Sequence, residues 1–94
     1  TLTDLEGRDI TGQFEPQVRT IFALINRTLE RAGGSLQNVV TMTVFINDPR
    51  NGDRFVEIRN EHFKNGQYPG SALVTVSNFA RPGCVIEIQC VAVI

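Results

Sequence analysis

Cys84-Val-Ile-Glu-Ile-Gln-Cys-Val-Ala-Val-Ile94 closes the chain as one long β-type run. Its even positions, Cys84, Ile86, Ile88, Cys90, Ala92 and Ile94, are all apolar, which is the pattern of a strand with one face on a core. The odd positions, Val85, Glu87, Gln89, Val91 and Val93, are mainly valine, where a solvated face would be mostly polar. Such a sheet has two faces to cover. Glu87 is the exception in the run, because a carboxylate at mid-strand is costly unless it is hydrogen-bonded or has a task.

Upstream, Ala80-Arg81-Pro82-Gly83 has tight-turn chemistry and Ala72–Phe79 reads as a strand. Together they predict an antiparallel hairpin with Cys84–Ile94. Val39–Ile46 alternates as well, with Val40, Met42, Val44 and Ile46 on one face and Thr41, Thr43 and Phe45 on the other. Two helices separate these strands. From Phe14 to Ala32, the residues Val18, Ile21, Phe22, Ile25 and Leu29 form one apolar stripe, with Pro16 in the first turn and Gly33-Gly34 as the stop. A second helix over about 53–64 carries Phe55, Ile58, His62 and Phe63 on one side. Arg54, Arg59 and Lys64 lie on its wet side, and Asn65-Gly66 stops it. Residues 1–12 are polar, with Gly7 and Gly12, and read as a loop or frayed terminus.

The order is therefore helix, strand, helix, strand, strand: an α+β, two-layer fold with both helices on one sheet face. No helix remains for the other face, so a second subunit is the economical cover and an oligomer is predicted. Glu87 and Gln89 would then lie at or near the subunit interface.

Ninety-four residues make one small domain with a modest core. Net charge is −1 with no run of like charge, so the basic field that drives binding to nucleic acid is missing. No stretch approaches the apolar length of a membrane span, so no membrane partner is expected. Cys84 and Cys90 share one strand and stand about 20 Å apart, beyond disulfide reach. Two free thiols used as small core residues fit a reducing compartment, and a cytoplasmic location is expected. No cysteine, histidine or carboxylate cluster has metal-ligand spacing, so no metal is expected.

Among candidate site residues Glu87 leads. A half-buried carboxylate with raised pKa passes protons or orients a water, although an interface hydrogen-bond network would also explain it. Gln89 shares its facing and reads as an interface amide or a ligand contact. His62, on the inward side of its helix, reads as a packing residue, and Arg81 as a solvated turn residue. Tyr68 and Phe63 flank the loop before Pro69 and could line a pocket.

Three runs carry a resemblance: Gln17-Val-Arg-Thr-Ile-Phe-Ala-Leu-Ile-Asn with Ala32-Gly33, Val39-Val-Thr-Met-Thr-Val-Phe-Ile-Asn-Asp, and Ala80-Arg-Pro-Gly-Cys-Val-Ile-Glu-Ile-Gln-Cys-Val-Ala-Val. In this order they resemble the reactive-intermediate deaminase (Rid, or YjgF-like) family from about residue 14 onward. The resemblance implies a chorismate-mutase-like α+β fold, a homotrimer whose sheets enclose a barrel, and small-molecule clefts between subunits. It also implies cofactor-independent hydrolysis of reactive enamines and imines, such as 2-aminoacrylate, to 2-oxo acids and ammonia.

Glu87 matches the family's acidic site residue. At the position of the family's carboxylate-holding arginine, two residues after Pro69, stands Ser71, which offers one neutral hydroxyl in place of a planar five-donor cation. Ser71 is expected on the same sheet face as Glu87. The family's opening strands are not matched, so the chain reads as a single Rid-like domain without them.

Two functions follow as expectations. One is a Rid-like hydrolase with Glu87 as the catalytic residue, Ser71, Tyr68 and Gln89 as substrate contacts, and little activity on standard 2-imino acids. The other is a non-catalytic, ligand-binding or regulatory module on the same scaffold. The ribonuclease activity ascribed to some relatives is poorly matched by the near-neutral charge.

Overall fold

The computed structural model describes residues 1–63 and 66–94, so Lys64 and Asn65, expected to end the second helix, lie outside the described residues. The elements are α1 (Phe14–Arg31), β1 (Val39–Ile46), α2 (Gly52–His62), β2 (Gly70–Thr75) and β3 (Ile86–Ala92), with short 3₁₀ turns at Leu36–Asn38 and Pro49–Asn51.

Helix α1 forms where the apolar stripe predicts it, burying Val18 and Phe22. Its end is a Schellman closure: Gly33 N–H donates to Glu30 O at 3.0 Å and Gly34 N–H to Leu29 O at 2.8 Å. Gly33 has φ +90°, a conformation that costs a glycine nothing. Helix α2 buries Phe55 and Ile58 beside Phe22. Both helices meet Met42, Val44, Ile46 and Ile86 in one core, so they cover the same sheet face, as the strand pattern predicts.

The sheet has the order β2-β1-β3. The predicted hairpin does not form: β2 runs parallel to β1 on one edge, and β3 runs antiparallel to β1 on the other. The reason is a competition for pairing. β1 is the most deeply buried strand, with Val39, Met42, Val44 and Ile46 in the core, and takes the centre with a neighbour on each side, while α2 supplies the crossover that a parallel pair requires. The segment between β2 and β3 must then cross the end of the sheet. The Ala80–Gly83 turn does exist, with Cys84 N–H donating to Arg81 O at 3.2 Å, but it serves a different connection.

That connection is to the N-terminus. Residues 1–12 are fastened rather than frayed: a bridge joins Thr3 to Asp9, and Ile10 N–H donates to Leu2 O at 2.9 Å. Gly12 N–H donates to Gly83 O at 2.8 Å, and Ile10 is buried. Gln17, fully buried, completes the joint. Its Nε2 donates to Ile10 O at 3.0 Å and Gly83 O at 2.8 Å, while its Oε1 accepts from Val85 N–H at 3.0 Å. Gly83 has φ +91°, and a Cβ there would strike Thr11 Cγ2.

One further expectation is corrected at the start of β1. A register irregularity between Val39 and Thr41 turns Val39 into the core and leaves Val40 exposed, the reverse of strict alternation. From Met42 onward the alternation holds. β3 also begins at Ile86, later than Cys84, because Cys84 and Val85 belong to the joint just described.

Candidate functional site

Register fixes which side chains share a face. Glu87 is the partner of Phe45, Gln89 of Thr43 and Val91 of Thr41, all on the face away from the helices. Val74 and Ala72 of β2 join them, as partners of Phe45 and Thr43. No element of the described chain covers this face. Val74 is 40% exposed and Val91 58%, so the surface around Glu87 is apolar and open. Glu87 is itself exposed in the single chain rather than half-buried, and it accepts a long hydrogen bond, 3.4 Å, from Gln89 Nε2. The two residues are brought together because an i, i+2 pair on a strand projects to one side.

Ser71 is placed elsewhere. It is the partner of Met42, which faces the helices, so within one chain Ser71 and Glu87 lie on opposite faces and on opposite edge strands. The expectation of a shared face rested on the hairpin, and the intervening β1 removes it. Every residue of β2 is nonetheless exposed, so its edge is open to a ligand or another chain.

Tyr68 stands just before β2, 47% exposed, while the adjacent Pro69 is buried and anchors the strand's start. The Arg59 guanidinium lies over the Tyr68 ring at 5.2 Å from its centroid. Phe63 is a core residue with 3% exposure, so it does not line an open pocket.

The cations divide by partner. Arg54 is held by Glu57 at 2.8 Å and by Glu15, and Arg19 by Glu15 at 3.0 Å and Glu61 at 2.9 Å. These guanidiniums hold the Glu15 carboxyl below its ordinary pKa by hydrogen bonding, Arg19 first and Arg54 second. The network clasps α1 to α2 and leaves Arg54 committed. Arg81 is exposed in the turn, as expected.

His62 is a packing residue. Its ring stacks on Phe22 with centroids 4.6 Å apart, and Nδ1 lies 2.9 Å from Ile58 O. Burial pushes the Cys90 thiol pKa up, which disfavours the nucleophilic thiolate. Cys90 also helps line an apolar groove of about 330 Å³ between α1 and β3, formed with Leu24, Ile25, Thr28, Leu29 and Ala92. None of Glu87, Gln89, Ser71 or Tyr68 contributes to it. Among the described residues, no three His, Cys, Asp or Glu side chains converge in a way that could hold a metal ion.

Sequence reading missed two things here. Gln17 gave no signal beyond its place in a helix, because its three partners are distant in sequence. Arg59 was assigned to the wet side of α2, and only the fold brings Tyr68 beneath it.

A small α+β fold with a mixed sheet and two helices is similar to the structures of YjgF/Rid proteins. Residues 2–94 match the family described as Endoribonuclease L-PSP, and the chain belongs to this Rid (YjgF-like) family. RutC family proteins of Pyrococcus abyssi and Pyrococcus horikoshii are 29% and 30% identical, each over 92% of this chain. The chain spans 66% and 67% of their respective lengths. Among solved structures, the Rid family protein YyfA of Yersinia pestis, of unknown function, is 27% identical with a TM-score of 0.85. That match covers 95% of this chain and 70% of YyfA. Yeast Mmf1, at 21% identity, shares the fold with a TM-score of 0.82, covering 98% of this chain and 72% of its own.

Proposed function

We propose that the protein is a Rid-like hydrolase of reactive imine- or enamine-type nitrogen compounds, working in clefts between the subunits of a homotrimer. The observation that carries this reading is Glu87 on the open, apolar sheet face beside Gln89, at the family's acidic position. A second copy seated on that face would desolvate Glu87 and bring it to the exposed edge of β2 in its neighbour, where Ser71 and Tyr68 lie. The separation of Ser71 and Glu87 within one chain supports a shared site, since two chains are needed to unite them.

The chemistry needs few parts. An enamine first tautomerises to its imine. Glu87 accepts a proton from water as the water oxygen bonds to the imine carbon. The proton then passes to nitrogen, giving a carbinolamine. Glu87 next takes the hydroxyl proton and delivers it to the same nitrogen, so the carbon–nitrogen bond breaks and ammonia leaves as the carbonyl forms. No electrons are gained or lost. Gln89 orients the carboxylate, and Ser71 and Tyr68 contact the substrate.

Ser71 shapes the preference. A hydroxyl cannot grip a carboxylate with two parallel charge-assisted bonds, so 2-imino acids lose their usual anchor at this position. The test is ammonia release from 2-aminoacrylate generated in situ, compared with imines that lack an adjacent carboxylate. The second group is expected to turn over faster. Turnover of 2-aminoacrylate as fast as by arginine-bearing relatives would overturn the preference.

Ser71 also favours a second reading, a ligand-binding module without turnover. It predicts a rise in Tm with ligand and no product. Loss of a measured hydrolysis in Glu87→Ala, with assembly intact, would rule it out.

A further inference from the structure

The acidic residues of α2 are unevenly shared. Glu57 holds Arg54 at 2.8 Å and Glu61 holds Arg19 at 2.9 Å, so two carboxylates of α2 are already engaged. Arg59 has no carboxylate partner among the described residues. Its Nε and Nη2 donate to the neutral Asn60 Oδ1 at 3.3 and 3.1 Å, and its Nη1 has no acceptor among them. A guanidinium carries five donors in a fixed fork, so much of its edge remains available. The Tyr68 ring, 5.2 Å from the guanidinium carbon, fixes its position without neutralising its charge. Arg59 is half-buried, which strengthens its pull on an anion relative to a fully solvated side chain.

Its place in the fold matters as much. Tyr68 precedes Ser71 by three residues, at most roughly 10 Å of chain. The start of α2 reaches the same strand further along, since a Cβ at Gly52 would lie 3.3 Å from Leu73 Cδ2. α2 therefore runs back along β2, with Arg59 toward the strand's head.

We propose that Arg59, seated on Tyr68 at the head of β2, is an anion-binding group of the ligand cleft, selecting substrates whose carboxylate stands several bonds from the reacting carbon. The inference rests on the hydrolase reading for the location of the cleft and adds the substrate class. An adjacent carboxylate, as in a 2-imino acid, would reach Ser71 and find only a hydroxyl. A remote carboxylate spans the gap and meets the guanidinium fork.

The probes are two isomeric keto acids that mimic hydrolysis products, 5-oxohexanoate and 2-oxohexanoate, together with the methyl ester of the first. They share a carbon skeleton, and the two acids share charge. Binding is measured by calorimetry on the assembled wild-type protein and on Arg59→Gln, Arg59→Lys and Tyr68→Leu, with thermal melts to confirm folding. Wild type should bind 5-oxohexanoate about tenfold or more tightly than either 2-oxohexanoate or the ester. Arg59→Gln should erase that advantage, Arg59→Lys should restore part of it, and Tyr68→Leu should weaken it by freeing the guanidinium.

Equal binding of the two acids by wild type would overturn the proposal, as would an unchanged advantage in folded Arg59→Gln. These readouts involve no turnover. Failure here leaves the hydrolase reading standing, and absence of hydrolysis leaves this binding preference standing.

Discussion

Glu87 and Gln17 differ in how visible they are in the sequence. Glu87 was legible in sequence because it breaks an apolar run, and its facing survives in the register with Phe45. Gln17 was not, because a buried amide is recognised only once its partners arrive from positions 10, 83 and 85. Replacing it with leucine keeps the bulk but strips one donor from each of the Ile10 and Gly83 carbonyls, which keep their backbone donors, and leaves the Val85 N–H without its partner. Gln17→Leu is expected to destabilise the fold by about 2–3 kcal/mol, read from urea unfolding at unchanged m-value. A loss under about 0.5 kcal/mol would mean that water replaces all three bonds.

At the scale of elements, helix periodicity and capping chemistry predicted α1 and the extent of β1 directly, because those signals are local. Strand pairing was misread because it is not. Pro82-Gly83 marks a turn either way, and nothing near it says that β1 lies between β2 and β3. The same limit hid the α1–α2 clasp, in which Glu15 serves Arg19 and Arg54 from two helices. Its carboxyl pKa is lowered in the folded state, so its contribution is present above the unfolded pKa and fades as pH falls through the folded one. Glu15→Gln should therefore have a lower Tm than wild type at about pH 7, with the gap closing as pH falls through the lowered Glu15 pKa and the carboxylate is neutralised. The gap should also shrink in high salt, as for any exposed pair. A gap that persists unchanged at acid pH would assign the effect to packing rather than charge.

For the whole molecule, the two-faced strand was the decisive sequence feature. Within Ile86–Ala92 its even residues do face the core, whereas Ile94 beyond the strand is 60% exposed and Val85 before it packs against the core. Glu87, Gln89 and Val91 lie on an open surface on which Val74 and Val91 are 40% and 58% exposed. The proposed trimer would bury that surface. Light scattering should return three times the chain mass, and Val91→Lys should shift it toward a single chain, because a buried unpaired ammonium is costly. A wild-type mass of one chain at micromolar concentration would leave the face unexplained by self-assembly.

Assembly matters because the proposed site needs two chains, with Glu87 from one and the head of β2 from another. The most direct measurement is ammonia release from an imine substrate by wild type and Glu87→Gln at equal assembly mass. The account predicts catalysis by wild type and a loss of about 100-fold or more in the variant, the usual scale for removing a proton-transferring group. A folded, assembled Glu87→Gln that matches the wild-type rate would contradict it.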